Sequence, residues 1–165
     1  MKAIFKEDSG IFLKDTPVPV LISDDVLIKV AVVAYCRTDG YVAHDRIKTK
    51  TPLILGHEFS GVVEDIGNNV NKFKKGDRVA VMPILPDEEG RYLGPMLGVD
   101  RDGAFAEYVA VPEVAVYHMP DSMSFVEAAY LEPIAASFAV LKMPIEKNQK
   151  GVIVGENRIA SLTKR

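Results

Sequence analysis

The chain has 165 residues, 48% hydrophobic and 26% charged, with a formal net charge of −3. That length suits one domain with a real core, and the composition is that of a globular protein. No basic block supports a nucleic-acid or anionic-membrane surface, and no apolar run nears the ~20 residues of a membrane-spanning helix.

The first ten residues carry Lys2, Lys6, Glu7 and Asp8, which is unlike a secretory leader. The single cysteine rules out an internal disulfide and a Cys-rich zinc module. We therefore expect a cytoplasmic protein. Lys2 to Lys6 and Ile11 to Val18 read as strands split by the turn cluster Asp8-Ser9-Gly10. Val26 to Ala34 is rich in β-branched residues and almost continuously apolar, which predicts a strand buried on both faces. Arg37 to Asp45 breaks that pattern and predicts a short helical turn. Leu53 to Leu55 leads into Gly56-His57-Glu58, and Phe59 to Ile66 reads as a strand whose Gly61 marks a bulge or a close backbone approach. Turns at Gly67-Asn68-Asn69 and Lys74-Lys75-Gly76-Asp77 precede a strand from Arg78 to Met82.

Residues 83–103, with Pro83, Pro86, Pro95 and several glycines, read as a long polar loop. Ala104 to Val111 and Val114 to His118 are further strands. Then the period changes. Ser124-Phe125-Val126-Glu127 fits a capping box, predicting a helix from Phe125 to about Tyr130. Pro133 suits the first turn of a second helix, and Pro144 lies beyond its end. Gly151-Val152-Ile153-Val154-Gly155 reads as a buried strand entering a tight turn.

Chemistry concentrates at Tyr35-Cys36-Arg37-Thr38-Asp39, Gly56-His57-Glu58 and Leu131-Glu132-Pro133. Thiolate, imidazole and carboxylate are all good zinc ligands, and a catalytic zinc takes three protein ligands and keeps one position open. Taken alone, a single Cys is most often a small buried hydrophobe. Composition and spacing do not by themselves join Cys36, His57 and Glu132. His44 and His118 read as surface and structural histidines, and Asp87-Glu88-Glu89 as a solvated acidic cluster.

These motifs, with Gly61-Val62-Val63-Glu64-Asp65-Ile66-Gly67 and Gly76-Asp77-Arg78-Val79, resemble the zinc-dependent medium-chain dehydrogenase/reductase superfamily. Glu132-Pro133 followed by Ala135-Ala136 is most similar to its polyol and threonine dehydrogenase side. The resemblance implies a mostly β, α+β fold: a GroES-like, partly open barrel with short C-terminal helices. It implies Cys36, His57 and, directly or through water, Glu132 as ligands of one catalytic zinc, with Glu58 as a labile ligand or a carboxylate behind the ligands. Asp39 would accept the free ring N–H of His57. Thr38 would relay the alcohol proton, and Arg37 would contact the cofactor pyrophosphate. The substrate would be a small alcohol or polyol, oxidised by NAD or NADP.

The resemblance also has gaps. The lobe that holds a structural zinc in such relatives would fall in residues 83–103, which contain no cysteine, so we expect none. Gly155-Glu156-Asn157-Arg158-Ile159-Ala160 resembles a dinucleotide fingerprint, with Gly155 as its cofactor-binding glycine, but five residues follow it. We expect residues 1–148 to form the catalytic domain and residues 149–165 the first strand and turn of a Rossmann domain. The chain by itself would then be inactive, self-associating, and dependent on a partner chain for the cofactor. The alternative is a stand-alone, non-enzymatic metal-binding or oligomerising domain.

Overall fold

The computed structural model describes residues 1–146 and 148–164. Its strands are β1 (Lys2–Glu7), β2 (Gly10–Asp15), β3 (Asp25–Ala34), β4 (Leu53–Ile54), β5 (Glu58–Ile66), β6 (Arg78–Val81), β7 (Tyr108–Pro112) and β8 (Val116–His118). Its helices are α1 (Arg37–Ala43), α2 (Phe125–Ala129), α3 (Leu131–Ser137) and α4 (Arg158–Thr163).

Two antiparallel sheets carry the fold, in the orders β2-β1-β4 and β7-β3-β5-β6-β8. The larger sheet curls into a half-barrel, the mostly β arrangement expected from the sequence. Alternating side chains from its strands, among them Val26, Ile28, Phe59, Val63, Val79 and Val111, fill the interior. The smaller sheet joins it through residues 104–107. Ile4 N–H donates to Phe105 O at 2.7 Å, and Val30 N–H donates to Glu107 O at 3.0 Å. Lys6 is almost fully buried there, with Nζ donating to Glu7 O at 2.8 Å and lying 3.2 Å from Asp45 Oδ1.

The pairing of β3 with β5 is where a glycine is required. The register shifts between Leu27 and Ile28 and again between Val30 and Val32, with Gly61 opposite Val30. A Cβ on Gly61 would stand 2.3 Å from Lys29 O, so the backbones approach closely at that point, as the mid-strand glycine suggested.

Several boundaries differ from expectation. The second strand ends at Asp15, before Pro17, whose missing N–H cannot extend a ladder. β3 is buried only over Asp25 to Ile28; Lys29 and Ala31 face solvent. The strand expected from Ala104 begins at Tyr108, because residues 104–107 serve the junction between the sheets. Residues 83–103 fold back on themselves rather than forming an open loop. Ile84 bridges Met96, and Leu85 and Leu97 are buried in the main core.

The capping box forms: Ser124 Oγ accepts from Glu127 N–H at 3.2 Å, and Glu127 Oε2 accepts from Ser124 N–H at 2.8 Å. The helix it opens ends at Ala129, and α3 begins at Leu131, placing Pro133 in its first turn. The largest correction is at residues 151–155, expected as a buried strand. They are exposed and irregular, since among the described residues no neighbouring strand accepts their hydrogen bonds. Instead Asn157 Oδ1 accepts from Ala160 N–H at 2.9 Å and opens α4, which lies against α3.

Candidate metal centre

The centre is built where β3 ends and β5 begins. Ala34 at the end of β3 pairs with Glu58 at the start of β5. Cys36, two residues past Ala34, keeps an extended backbone (φ −106°, ψ 154°) and opens α1. Asp39 then reaches back, and its Oδ2 accepts from Cys36 N–H at 2.7 Å. Its Oδ1 accepts from Gly56 N–H at 3.3 Å and lies 3.1 Å from His57 Nδ1. One buried carboxylate thus holds both the Cys36 and the His57 segments, with one oxygen beside His57 Nδ1.

Gly56 completes this support. Its φ is +94°, and a Cβ there would lie 2.8 Å from Phe105 N. Only glycine lets the backbone turn in this sense so close to its neighbour, with Ala104 N–H donating to Gly56 O at 2.9 Å.

Cys36 Sγ, a ring nitrogen of His57 and a carboxylate oxygen of Glu58 lie within 4.8 Å of one another. With zinc bonds of about 2.1–2.3 Å in tetrahedral geometry, neighbouring ligand atoms stand about 3.5 Å apart, so the three donors would have to draw closer to share one ion. His57 and Glu58 are 1% and 0% exposed, and the donor set of thiol, imidazole and carboxylate fits zinc. Because Asp39 takes Nδ1, Nε2 is the ring atom left to face the thiol.

Burial works against the charged form of His57. The hydrogen bonds to Asp39 and Cys36 and the attraction of both groups outweigh it, pushing the pKa up to about 10. Burial raises the Glu132 carboxyl above the usual carboxylate range; Glu58 beside it adds to the rise, and His57 and Arg158 oppose it.

The three donors open into a cleft of about 500 Å³, lined also by Tyr35, Arg37, Thr38, Tyr41, Met96, Glu132, Ala136 and the α4 residues Asn157, Arg158 and Ile159. Of the residues singled out in the sequence, the tight cluster holds Cys36, His57 and Glu58. Glu132 comes from α3 and lines the same cleft outside that cluster. Thr38 and Arg37 line it as well. Gly155 does not; it is exposed, and a Cβ on it would meet nothing within 4 Å. His44 is exposed, His118 stacks on Phe73 at 4.5 Å, and Asp87 pairs with Arg91.

Sequence reasoning missed Arg158. Its Nη1 donates to Glu58 Oε2 at 2.7 Å, its Nη2 donates to Glu58 Oε1, and its guanidinium stands over the Tyr130 ring at 5.4 Å. Burial works against the guanidinium's charge, but the hydrogen bond and charge of Glu58 outweigh it and raise its pKa. A signal was present: an arginine follows a good N-cap, Asn157, in a stretch otherwise read as part of a nucleotide fingerprint.

The family model for the alcohol dehydrogenase GroES-like domain matches residues 22–121. This chain belongs to that family, within the zinc-dependent medium-chain dehydrogenases and reductases. It is 35% identical over 150 residues to L-threonine 3-dehydrogenase of Bacillus subtilis, a match covering 81% of this chain and 43% of that protein. It is 36% identical over 180 residues to D-xylulose reductase of Saccharomyces cerevisiae, covering 98% of this chain and 50% of the relative. Among solved structures, 2R,3R-butanediol dehydrogenase from Bacillus subtilis superposes with a TM-score of 0.85 at 30% identity, over 98% of this chain and 52% of that one. Galactitol-1-phosphate dehydrogenase from Escherichia coli gives 0.75 at 28% identity, over 86% and 45%. The chain thus spans about half the length of the relatives it matches. No helix among the described residues is long and apolar enough to cross a membrane.

Proposed function

We propose that this GroES-like domain carries the metal half of a zinc-dependent alcohol or polyol dehydrogenase site. The observation that carries the reading is the juxtaposition of Cys36, His57 and Glu58 donors within 4.8 Å at the floor of one cleft. Cys36, His57 and Glu132 are the ligands, with Glu58 available to join or leave them. When bound, the metal supplies Lewis acidity that favours loss of the alcohol proton.

The chain's own residues do the rest. Asp39 fixes the tautomer and orientation of His57. Thr38, on the first turn of α1, holds the substrate hydroxyl and passes its proton toward solvent. Arg37, on the open rim of the same cleft, is placed to receive a phosphate of NAD or NADP. Among the described residues both named sheets are antiparallel, so the dinucleotide would sit on a separate unit, with Gly155 at its approach. Residues 1–148 are the catalytic domain in this reading, and residues 149–165 lead into that unit. No structural zinc is part of it.

The GroES-like domain by itself would then bind metal, with oxidation of an alcohol requiring that separate unit, and its exposed Val152 and Val154 would favour self-association. The test is metal uptake by the purified chain. One zinc per chain, lost in Cys36→Ala and His57→Ala, is the expected result. Uptake unchanged by both substitutions overturns the reading. Cofactor-dependent oxidation of an alcohol by the chain alone overturns the need for a second unit.

A further inference from the structure

Arg158 is the one cation that reaches the floor of the cleft from the C-terminal helix, among the described residues. Its guanidinium engages both oxygens of Glu58, the most deeply buried carboxylate in the molecule. Glu58 is also the carboxylate whose oxygen lies with Cys36 Sγ and the His57 ring in the tight donor cluster. One side chain therefore has two claimants.

The geometry points to Arg158 as the residue that decides whether Glu58 ligates the metal: with α4 seated, the guanidinium holds Glu58 off the ion, and withdrawal of Arg158 releases Glu58 to it. This rests on the metal-site reading given above. A bidentate guanidinium–carboxylate pair has fixed directions, so Glu58 cannot rotate an oxygen inward without breaking at least one of its two bonds. Arg158 is itself held, by Tyr130 beneath the guanidinium and by the Asn157 cap at the helix start. The segment before it, residues 151–156, is exposed and irregular. The ligand set at the metal is thus tied to the position of one short helix at the end of a loose tether. Arg158 is a positioning residue in this scheme and makes no contact with a reacting atom.

The test measures Zn²⁺ affinity by chelator competition and the ligand-field spectrum of Co²⁺ in the full chain, for the native protein, Arg158→Ala, Arg158→Lys, Glu58→Gln and Glu58→Gln with Arg158→Ala. Freed of its charge-assisted bonds, Glu58 should tighten zinc binding about tenfold to hundredfold in Arg158→Ala. The Co²⁺ bands should shift as a carboxylate oxygen joins. Arg158→Lys, which keeps the charge but loses the fork, should fall between. In the Glu58→Gln background, Arg158→Ala should change nothing, because the double-mutant cycle removes the shared partner. Native affinity and native bands in both Arg158 variants overturn the proposal. So does an equal gain in the Glu58→Gln background, which would mean plain charge repulsion. If neither the native chain nor any Arg158 variant takes up metal, the site reading itself falls and takes this inference with it. Uptake that depends on Cys36 but ignores Arg158 removes this inference alone.

Discussion

Replacing Asp39 by Ala tests the support of the centre without touching a ligand. Three donors lose their acceptor: Cys36 N–H at 2.7 Å, Gly56 N–H at 3.3 Å and His57 Nδ1 at 3.1 Å. The carboxylate is 1% exposed, so the donors it would leave are buried. A buried donor left unsatisfied costs about 1–3 kcal/mol, and removing one member of a buried charged pair about 3–5 kcal/mol. The Gly56 contact is long and contributes least. The Cys36 donor and the His57 pair together should come to about 4–8 kcal/mol in the metal-free protein.

The loss should depend on pH. The folded-state pKa of His57 is about 10, above the ordinary 6.5. A raised histidine contributes stability that is fully present below the unfolded value and fades as pH climbs through the folded one. The gap between native protein and Asp39→Ala should therefore be widest at or below pH 6.5 and narrow toward pH 10. Urea unfolding of both proteins without metal, at several pH values, reads this as the difference in midpoint at constant slope. A gap below about 0.5 kcal/mol, or one that widens with rising pH, refutes the reasoning.

Two further substitutions probe the frame. Gly61→Ala places a methyl group 2.3 Å from Lys29 O and 2.7 Å from Ile28 Cγ2, at the centre of the main sheet. It should destabilise by about 1–3 kcal/mol or more, seen as a lower thermal midpoint, with zinc uptake per folded molecule retained. Ser60→Ala removes the bond that Oγ donates to Phe125 O at 2.7 Å, which ties α2 to β5. A loss of about 1 kcal/mol is expected by urea unfolding.

Local signals in the sequence were enough for most elements. The β-branched run of β3 formed its strand, though without the expected burial of both faces along its length, and the Ser124 capping box and the mid-strand Gly61 produced the features expected of them. These depend on contacts within a few residues or on a single steric fact. Cys36 and His57 were legible only through the motifs around them, because nothing in the spacing says that β3 and β5 are neighbours. The position of Glu58 follows from that pairing, which sets it opposite Ala34 and inside the donor cluster. Arg158 was invisible for the same reason: its partner lies 100 residues earlier in the chain. The expected strand at residues 151–155 failed in the opposite sense. Its apolar run is a sound strand pattern, but a ladder needs a second strand, and none among the described residues lies beside it.

The wide separation of the site's parts also bears on when it forms. Cys36, His57 and Glu58 are brought together, and Glu132 into the same cleft, by contacts between residues far apart in the chain, so the centre exists only in the folded protein. The unfolded chain is a poor chelator, with one cysteine and three histidines scattered along 165 residues. Zinc should therefore bind almost entirely to folded molecules and draw the folding equilibrium toward them by mass action. At a free concentration one hundred times its dissociation constant, the ion would add about 2.7 kcal/mol. In a small domain that is a large part of total stability, so metal supply would set how much of this protein is folded.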